Sequence, residues 1–298
     1  MFDLQVNGYA GVDFNADSLP LDDMLLACRT LKEHGVDAIL ATVITADHDA
    51  MCRRISNIVK CREQSTEVEQ MIAGIHIEGP FLSPVPGYIG AHPPEHSCAA
   101  NIPLAERLLE AGGGLTKLFT LAPEQDPEGK VTRWLAEQNV VVAAGHCDPS
   151  LEQLQRSIDA GLKAFTHLGN GCPMQMHRHD NIVQRALSLA DQITLCFIAD
   201  GAHVPLFALK NYIKLAGLER SVVVSDTISA AGLGPGIYRL ADQNVTIGDD
   251  LVPWAEDRSH FVGSACPLYR MVENLTSVGF TEEEIDTLTN RNPRKLVE

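Results

Sequence analysis

The segment IHIEGPFLSP, residues 75–84, ends an apolar, β-branched run on a carboxylate and then turns through Gly79-Pro80. Side chains alternate along a strand, so His76 and Glu78 share one face while Ile75 and Ile77 share the other. A glutamate at the end of such a run is costly unless something positive meets it. The same design recurs along the chain. Predicted strands at 2–6, 38–44, 73–78, 115–121, 140–146, 164–168, 193–199 and 221–226 alternate with amphipathic helical patterns. Examples are LDDMLLACRTLKEHG from residue 21, AMCRRISNIVKCREQ from 50, SLEQLQRSIDAG from 150 and PLFALKNYIKLAG from 205, several of them closing on glycine. Eight such units predict an α/β fold, a TIM-like (β/α)8 barrel over residues 1–298 as one domain. A doubly wound open sheet is the alternative with the same alternation. Past the eighth strand, GIYRLADQNVTIGDDL (236–251) predicts a hairpin, and helices follow in CPLYRMVENLTSVG and TEEEIDTLTNR.

In a barrel, Glu78, His146, His167, Asp200 and Asp226 all fall at or just past the C-terminal ends of predicted strands, which is the catalytic face. A single strand-end histidine is more often a hydrogen-bonded structural residue than a ligand; five polar residues on one rim point to a site. Glu78, His146 and His167 combine a carboxylate with two imidazoles. That set suits a divalent transition metal with a coordination position left open for water. His76 shares the face of Glu78 one layer deeper, in a supporting role.

Composition narrows the function classes. The chain has 298 residues, is 45% hydrophobic and carries a formal charge of −16, which argues against nucleic acid and anionic membranes as partners. Its eight cysteines contain no CxxC pair and several lie in apolar runs, the usage of a reducing, cytoplasmic protein. The start, MFDLQVNGYAG, lacks the pattern of a signal peptide, and no run reaches the ~18–20 apolar residues of a membrane span.

Read together, GIHIEGPFLSPVPGYIGAH (74–92), AAGHCDPS (143–150), FTHLGNG (165–171), FIADGAHV (197–204), VVVSDTISAAG (222–232) and VGSACPLYRMVENL (262–275) resemble the N-acetylglucosamine-6-phosphate deacetylase family of the amidohydrolase superfamily. The resemblance runs from about residue 2 to the end. It implies that Glu78, His146 and His167 hold one divalent metal ion per subunit, zinc first, with iron, manganese or cobalt as alternatives. Asp226 would be the catalytic acid and base. Substrate contacts would fall at Ala91, His92, Asn170, Gly171, Arg178, His203, Phe261, Val262 and Gly263. The family grips the substrate phosphate with an arginine and a histidine, here Arg178 from the neighbouring subunit of a homodimer and His203. The bland readings are a solvated basic loop for Arg178, beside His177 and His179, a structural imidazole for His203 and a strand-end cap for Asp226. The implied partner is a phosphorylated N-acetyl amino sugar, and the implied reaction removes acetate from N-acetylglucosamine 6-phosphate. Alternatives are a related amidohydrolase acting on another N-acetyl amino sugar or a cyclic amide, and a non-catalytic barrel that binds a sugar phosphate. A metal-free lyase or isomerase barrel would rely on a strand-end lysine, which these strands lack.

The chain departs from the family in four places. Many amidohydrolases carry an HxH pair on the first strand; here Gln5 and Asn7 stand in DLQVNG. Neutral amides are poor transition-metal ligands, so one metal is expected rather than two. The family's small β-sandwich is built from segments flanking the barrel, and this sequence begins at the first barrel strand, so the expected fold lacks the usual sandwich. RHDN follows at Arg178 where the family tends to have Pro-Gly. VPGY is inserted before Gly90.

Overall fold

Eight parallel strands pair in chain order: β1 (Phe2–Val6), β2 (Ala38–Ile44), β3 (Ile72–Glu78), β4 (Thr116–Leu121), β5 (Val141–Ala144), β6 (Leu162–Phe165), β7 (Thr194–Ile198) and β8 (Ser221–Val224). The computed structural model describes residues 1–240, 243–254, 261 and 263–298. A doubly wound sheet would place strands out of sequence order, whereas here each strand joins the next and the ends meet. The eighth strand approaches the first without a regular ladder. The seam is held by a bridge between Val6 and Thr227. Two backbone bonds support it, Asn7 N–H to Thr227 O at 2.8 Å and Asp226 N–H to Gln5 O at 2.9 Å. The result is a nearly closed (β/α)8 barrel.

Three strands end two or more residues earlier than their sequence predicts, and the reason bears on function. The apolar runs extend to His146, Leu168 and Asp226, but β5, β6 and β8 stop at Ala144, Phe165 and Val224. His146, His167 and Asp226 have φ of 49°, 31° and 51°. Positive φ is uncommon for residues with a side chain and cannot continue a ladder. The helices follow their patterns more closely. Leu21–Glu33 and Leu206–Ala216 form as expected, His48–Gln64 is capped by the Asp47 side chain, and Leu151–Asp159 starts on a Ser150/Gln153 capping box. The predicted hairpin pairs β9 (Gly236–Leu240) with β10 (Gln243–Ile247), and its turn at 241–242 lies outside the described residues. The last predicted helix splits into Glu282–Asp286 and a π-helical turn at Thr287–Arg291.

Inside the barrel, directly below the mouth, lies a polar layer. His76 Nε2 is 2.8 Å from Thr120 Oγ1, which is 2.7 Å from Thr166 Oγ1, and His76 Nδ1 is 3.4 Å from Thr42 Oγ1. Burial depresses the imidazole of His76 to about 4, so it is a neutral hydrogen-bonding strut. Ile75 and Ile77, on the opposite face, are fully buried in the apolar layer.

Asp3 stitches the seam from the side. Its Oδ1 accepts from Gln5 N–H at 3.2 Å and from Ser225 N–H at 3.1 Å. Burial nevertheless raises its carboxyl from 3.8 to about 6. A raised acid binds its proton more tightly folded than unfolded. Its contribution to stability is therefore full below pH 3.8 and is lost as pH rises through about 6. The ionised form costs about 3 kcal/mol near neutrality. Asp3→Asn keeps an acceptor for both amides without the charge. It should melt several degrees higher than wild type at pH 7.5, with the gap narrowing on acidification to pH 5; a gap independent of pH in thermal melts would contradict this reading.

Candidate metal and catalytic centre

Glu78 ends β3, and Gly79 must follow it, because at φ +88° a Cβ would lie 2.1 Å from Thr45 Oγ1. The carboxylate is buried and fully engaged. Gln5 Nε2 donates to its Oε2 at 3.0 Å, and His167 Nε2 lies 2.9 Å and His146 Nε2 3.4 Å from its Oε1. Burial pushes this carboxyl up, but His146 and His167 outweigh burial and hold it well below the usual range. Burial likewise opposes charge on His167, yet its bond to Glu78 lifts it above the ordinary imidazole value. His92 is neutral: burial, with His146 beside it, depresses it to about 3.

The orientation of His146 shows what the cluster lacks. Its Nδ1 is 2.8 Å from the carbonyl of Tyr88, which can only accept, so Nδ1 carries the proton. With Nδ1 so engaged, Nε2 faces the Glu78 carboxylate at 3.4 Å and His92 Nε2 at 3.2 Å. A lone pair facing a carboxylate in a buried site is repulsive unless a proton or cation lies between them. Glu78, His92 and His146 offer donor atoms all within 4.8 Å of one another. His167 reaches the same carboxylate, and its buried Nδ1 has no partner among the described residues. One carboxylate and three imidazoles on one rim fit a divalent transition metal. Two glycines lock the ring of His146. At Gly90 a Cβ would meet its Cε1 at 3.0 Å, and at Gly171 a Cβ would meet its Nδ1 at 2.8 Å, both at φ near +60°.

Asp226 lies just past β8. Asn7 Nδ2 donates to its Oδ1 at 2.8 Å. Burial raises its carboxyl above the ordinary range, His167 pulls the other way and the charge of Glu78 adds to the rise. A carboxylate lifted in this way is a stronger proton acceptor, as a general base requires. His203 lies just past β7. Its Nδ1 is 2.5 Å from Asp200 Oδ2, its ring contacts Phe261 at 5.1 Å between centroids, and its buried Nε2 has no partner among the described residues.

The structure thus joins Glu78, His92, His146 and His167 directly, and Asp226 feels the opposing charges of His167 and Glu78. His92, read from sequence as a substrate contact, also stands among the possible metal donors. Ala91 is exposed beside His92, Asn170 and Gly171 lie on the loop after β6, and Gly263 packs on Ile228, where a Cβ would come within 2.5 Å. Arg178 sits on an exposed loop and, among the described residues, no ion pair or hydrogen bond ties it to the cluster. Val262 lies outside the described residues. Sequence reading placed Asp200 on the rim and named Gln5 and Asn7 on and just past β1, but missed what they orient (His203, Glu78 and Asp226) and missed the Tyr88 carbonyl that orients His146. The polar alternation Asp3, Gln5, Asn7 is the signal that carried the two amides.

No family model matches the chain. Over 249 residues, 83% of this chain and 62% of the relative, it is 31% identical to the N-acetylglucosamine-6-phosphate deacetylase of Bacillus subtilis (strain 168). Over 296 residues it is 29% identical to the N-acetylgalactosamine-6-phosphate deacetylase of Escherichia coli O157:H7, covering 99% of this chain and 76% of the relative. A solved structure of a mutant N-acetyl-D-glucosamine-6-phosphate deacetylase from Mycobacterium smegmatis, in complex with N-acetyl-D-glucosamine-6-phosphate, matches with a TM-score of 0.87 at 25% identity, covering 99% of this chain and 76% of that one. The chain therefore spans between 62% and 76% of the length of these relatives.

Proposed function

Since the chain belongs to the family of N-acetylglucosamine-6-phosphate deacetylases, we propose that it hydrolyses the acetamido group of N-acetylglucosamine 6-phosphate, releasing glucosamine 6-phosphate and acetate. Residues 1–298 act as one catalytic barrel. The observation that carries this reading is the buried carboxylate of Glu78 shared by imidazoles at the barrel mouth, with Asp226, held by Asn7, buried on the same rim.

Glu78, His146 and His167 are the ligands of one divalent ion, zinc being the first to test for an N/O donor set. When bound, that ion supplies Lewis acidity for the attacking water and the acetyl carbonyl. The residues do the rest. Asp226, lifted by burial, takes a proton from the attacking water and returns it to the departing nitrogen. Neutral His92 aims a ring nitrogen into the cluster, where as a donor it stabilises the negative oxygen of the tetrahedral intermediate. His203, its ring set by Asp200, binds the phosphate together with Arg178 of the partner subunit of a homodimer. Phe261, Val262 and Gly263 border that end of the substrate, and Ala91, Asn170 and Gly171 border the other. The protein works in the cytoplasm, in keeping with eight free cysteines. Among the described residues no helix is long and apolar enough to cross a membrane.

The test is acetate release from N-acetylated hexosamines, with and without a 6-phosphate, after loading with zinc, iron, manganese or cobalt. Release of acetate from N-acetylglucosamine 6-phosphate supports the proposal, and the absence of release with every metal would end it. A second reading, the galactosamine epimer as substrate, is favoured by the relative named for that activity, which aligns along 99% of this chain; the same screen ranks the two. Arg178→Ala should raise KM for the phosphorylated sugar about tenfold or more, the scale of a lost charge-assisted pair, and leave KM for the unphosphorylated sugar near wild type. Equal effects on both would remove Arg178 from the phosphate site.

A further inference from the structure

The first strand and the residue just past it carry amides where a second pair of metal ligands would be expected, and one of them, Asn7, is only half satisfied. Asn7 is 8% exposed. Its backbone is fixed on both sides, the N–H donating to Thr227 O at 2.8 Å and the carbonyl accepting from Phe14 N–H at 3.0 Å. Its Nδ2 donates to Asp226 Oδ1 at 2.8 Å, which sets the orientation of the amide, because an ionised carboxylate offers no hydrogen. That leaves Asn7 Oδ1, a buried acceptor with no partner among the described residues. A buried polar atom left unpaired in an otherwise bonded site calls for a donor brought by a ligand.

We propose that Asn7 is a further residue of the catalytic centre, orienting Asp226 through its Nδ2 and accepting the N–H of the scissile amide on its Oδ1. The proposal rests on the deacetylase reading above. One amide side chain then holds both partners of the decisive proton transfer. Water adds to the acetyl carbon and its proton passes to Asp226. The carbon–nitrogen bond then breaks with its electron pair going to nitrogen, which takes the proton from Asp226, so that the free amine and acetic acid leave, the acid ionising to acetate. With its N–H tied to Asn7, the nitrogen turns its lone pair toward the acid instead of away from it. Pinning Oδ1 of Asp226 also leaves Oδ2 as the oxygen that carries the proton.

Asn7→Leu is close in volume and makes neither contact. With zinc-loaded protein and N-acetylglucosamine 6-phosphate, it should lower kcat about 100-fold, the scale of a misplaced catalytic group, with KM within about threefold of wild type. Bound zinc should stay at the wild-type value, and Asn7→Ser, which restores a short polar group, should recover part of the rate. In the Asp226→Asn background, Asn7→Leu should cause little further loss, since the two act as one unit. The 2-O-acetyl ester of glucose 6-phosphate, which has no N–H, should show a smaller penalty. An unchanged kcat, a loss confined to KM, loss of zinc, or full additivity with Asp226→Asn would each overturn the proposal, and an undiminished penalty on the ester would remove the contact at Oδ1. A wild-type protein that releases no acetate overturns the deacetylase reading itself, whereas an active wild type with an unimpaired Asn7→Leu overturns only the role given to Asn7.

Discussion

Asp226→Asn should lower the turnover of N-acetylglucosamine 6-phosphate by about 10²- to 10⁴-fold, the range that a positioned general acid–base supplies. The substitution is isosteric and keeps an oxygen for Asn7 Nδ2, so the fold and the bond at 2.8 Å can persist. What is lost is the ability to take a proton from water and hand it to the departing nitrogen. Because Asp226 acts as a base, wild-type activity should fall as the solution is acidified through its pKa, and that limb should lie above the range of an ordinary aspartate, since burial lifts the group. The variant should have no such limb. Bound metal and KM should change little. A variant that retains full turnover with its metal in place would leave the family assignment standing and end this mechanism.

Removing one imidazole should have an equally large effect for a different reason. His167→Ala should bring bound metal close to zero and abolish activity, because it removes a donor that now lies 2.9 Å from Glu78 Oε1. It also leaves the buried carboxylate with less compensation, since His167 is one of the two groups that hold Glu78 ionised. The informative comparison is His92→Ala. The donor atoms of Glu78, His92 and His146 lie within 4.8 Å of one another, so proximity alone would admit His92 as a ligand. If His92 serves the acetyl oxygen, its alanine variant should keep the metal and lose rate. Metal analysis and zinc-induced shifts in melting temperature separate these outcomes. Normal metal content in His167→Ala with depletion in His92→Ala would exchange the roles of the two histidines.

The eight strands could be read along the chain with small errors, and the errors were instructive. Residues 2–6 and 38–44 form the strands their patterns predict, while His146, His167 and Asp226 are apolar-run neighbours that leave the ladder with positive φ. Hydropathy records which residues are buried, but it does not record the dihedral turn that points a buried side chain at a ligand. The candidate centre was legible for the same reason the strands were. Glu78, His146, His167, Asp200 and Asp226 are polar residues placed where a strand stops, and a parallel barrel gathers such ends on one face.

What the sequence determined by itself was local: strand and helix periods, the capping signals, the residue types at the strand ends, and the amides standing where imidazoles could have been. Tertiary structure alone decided which groups meet. Gln5 reaches Glu78 across 73 residues because the barrel turns the inner faces of β1 and β3 toward one mouth, and Asn7 reaches Asp226 across 219 because closure brings β1 against β8. The orientation of His146 likewise depends on a carbonyl 58 residues away at Tyr88. Periodicity is a property of neighbours along the chain, whereas these contacts depend on the closure and register of the whole sheet, which no local pattern encodes.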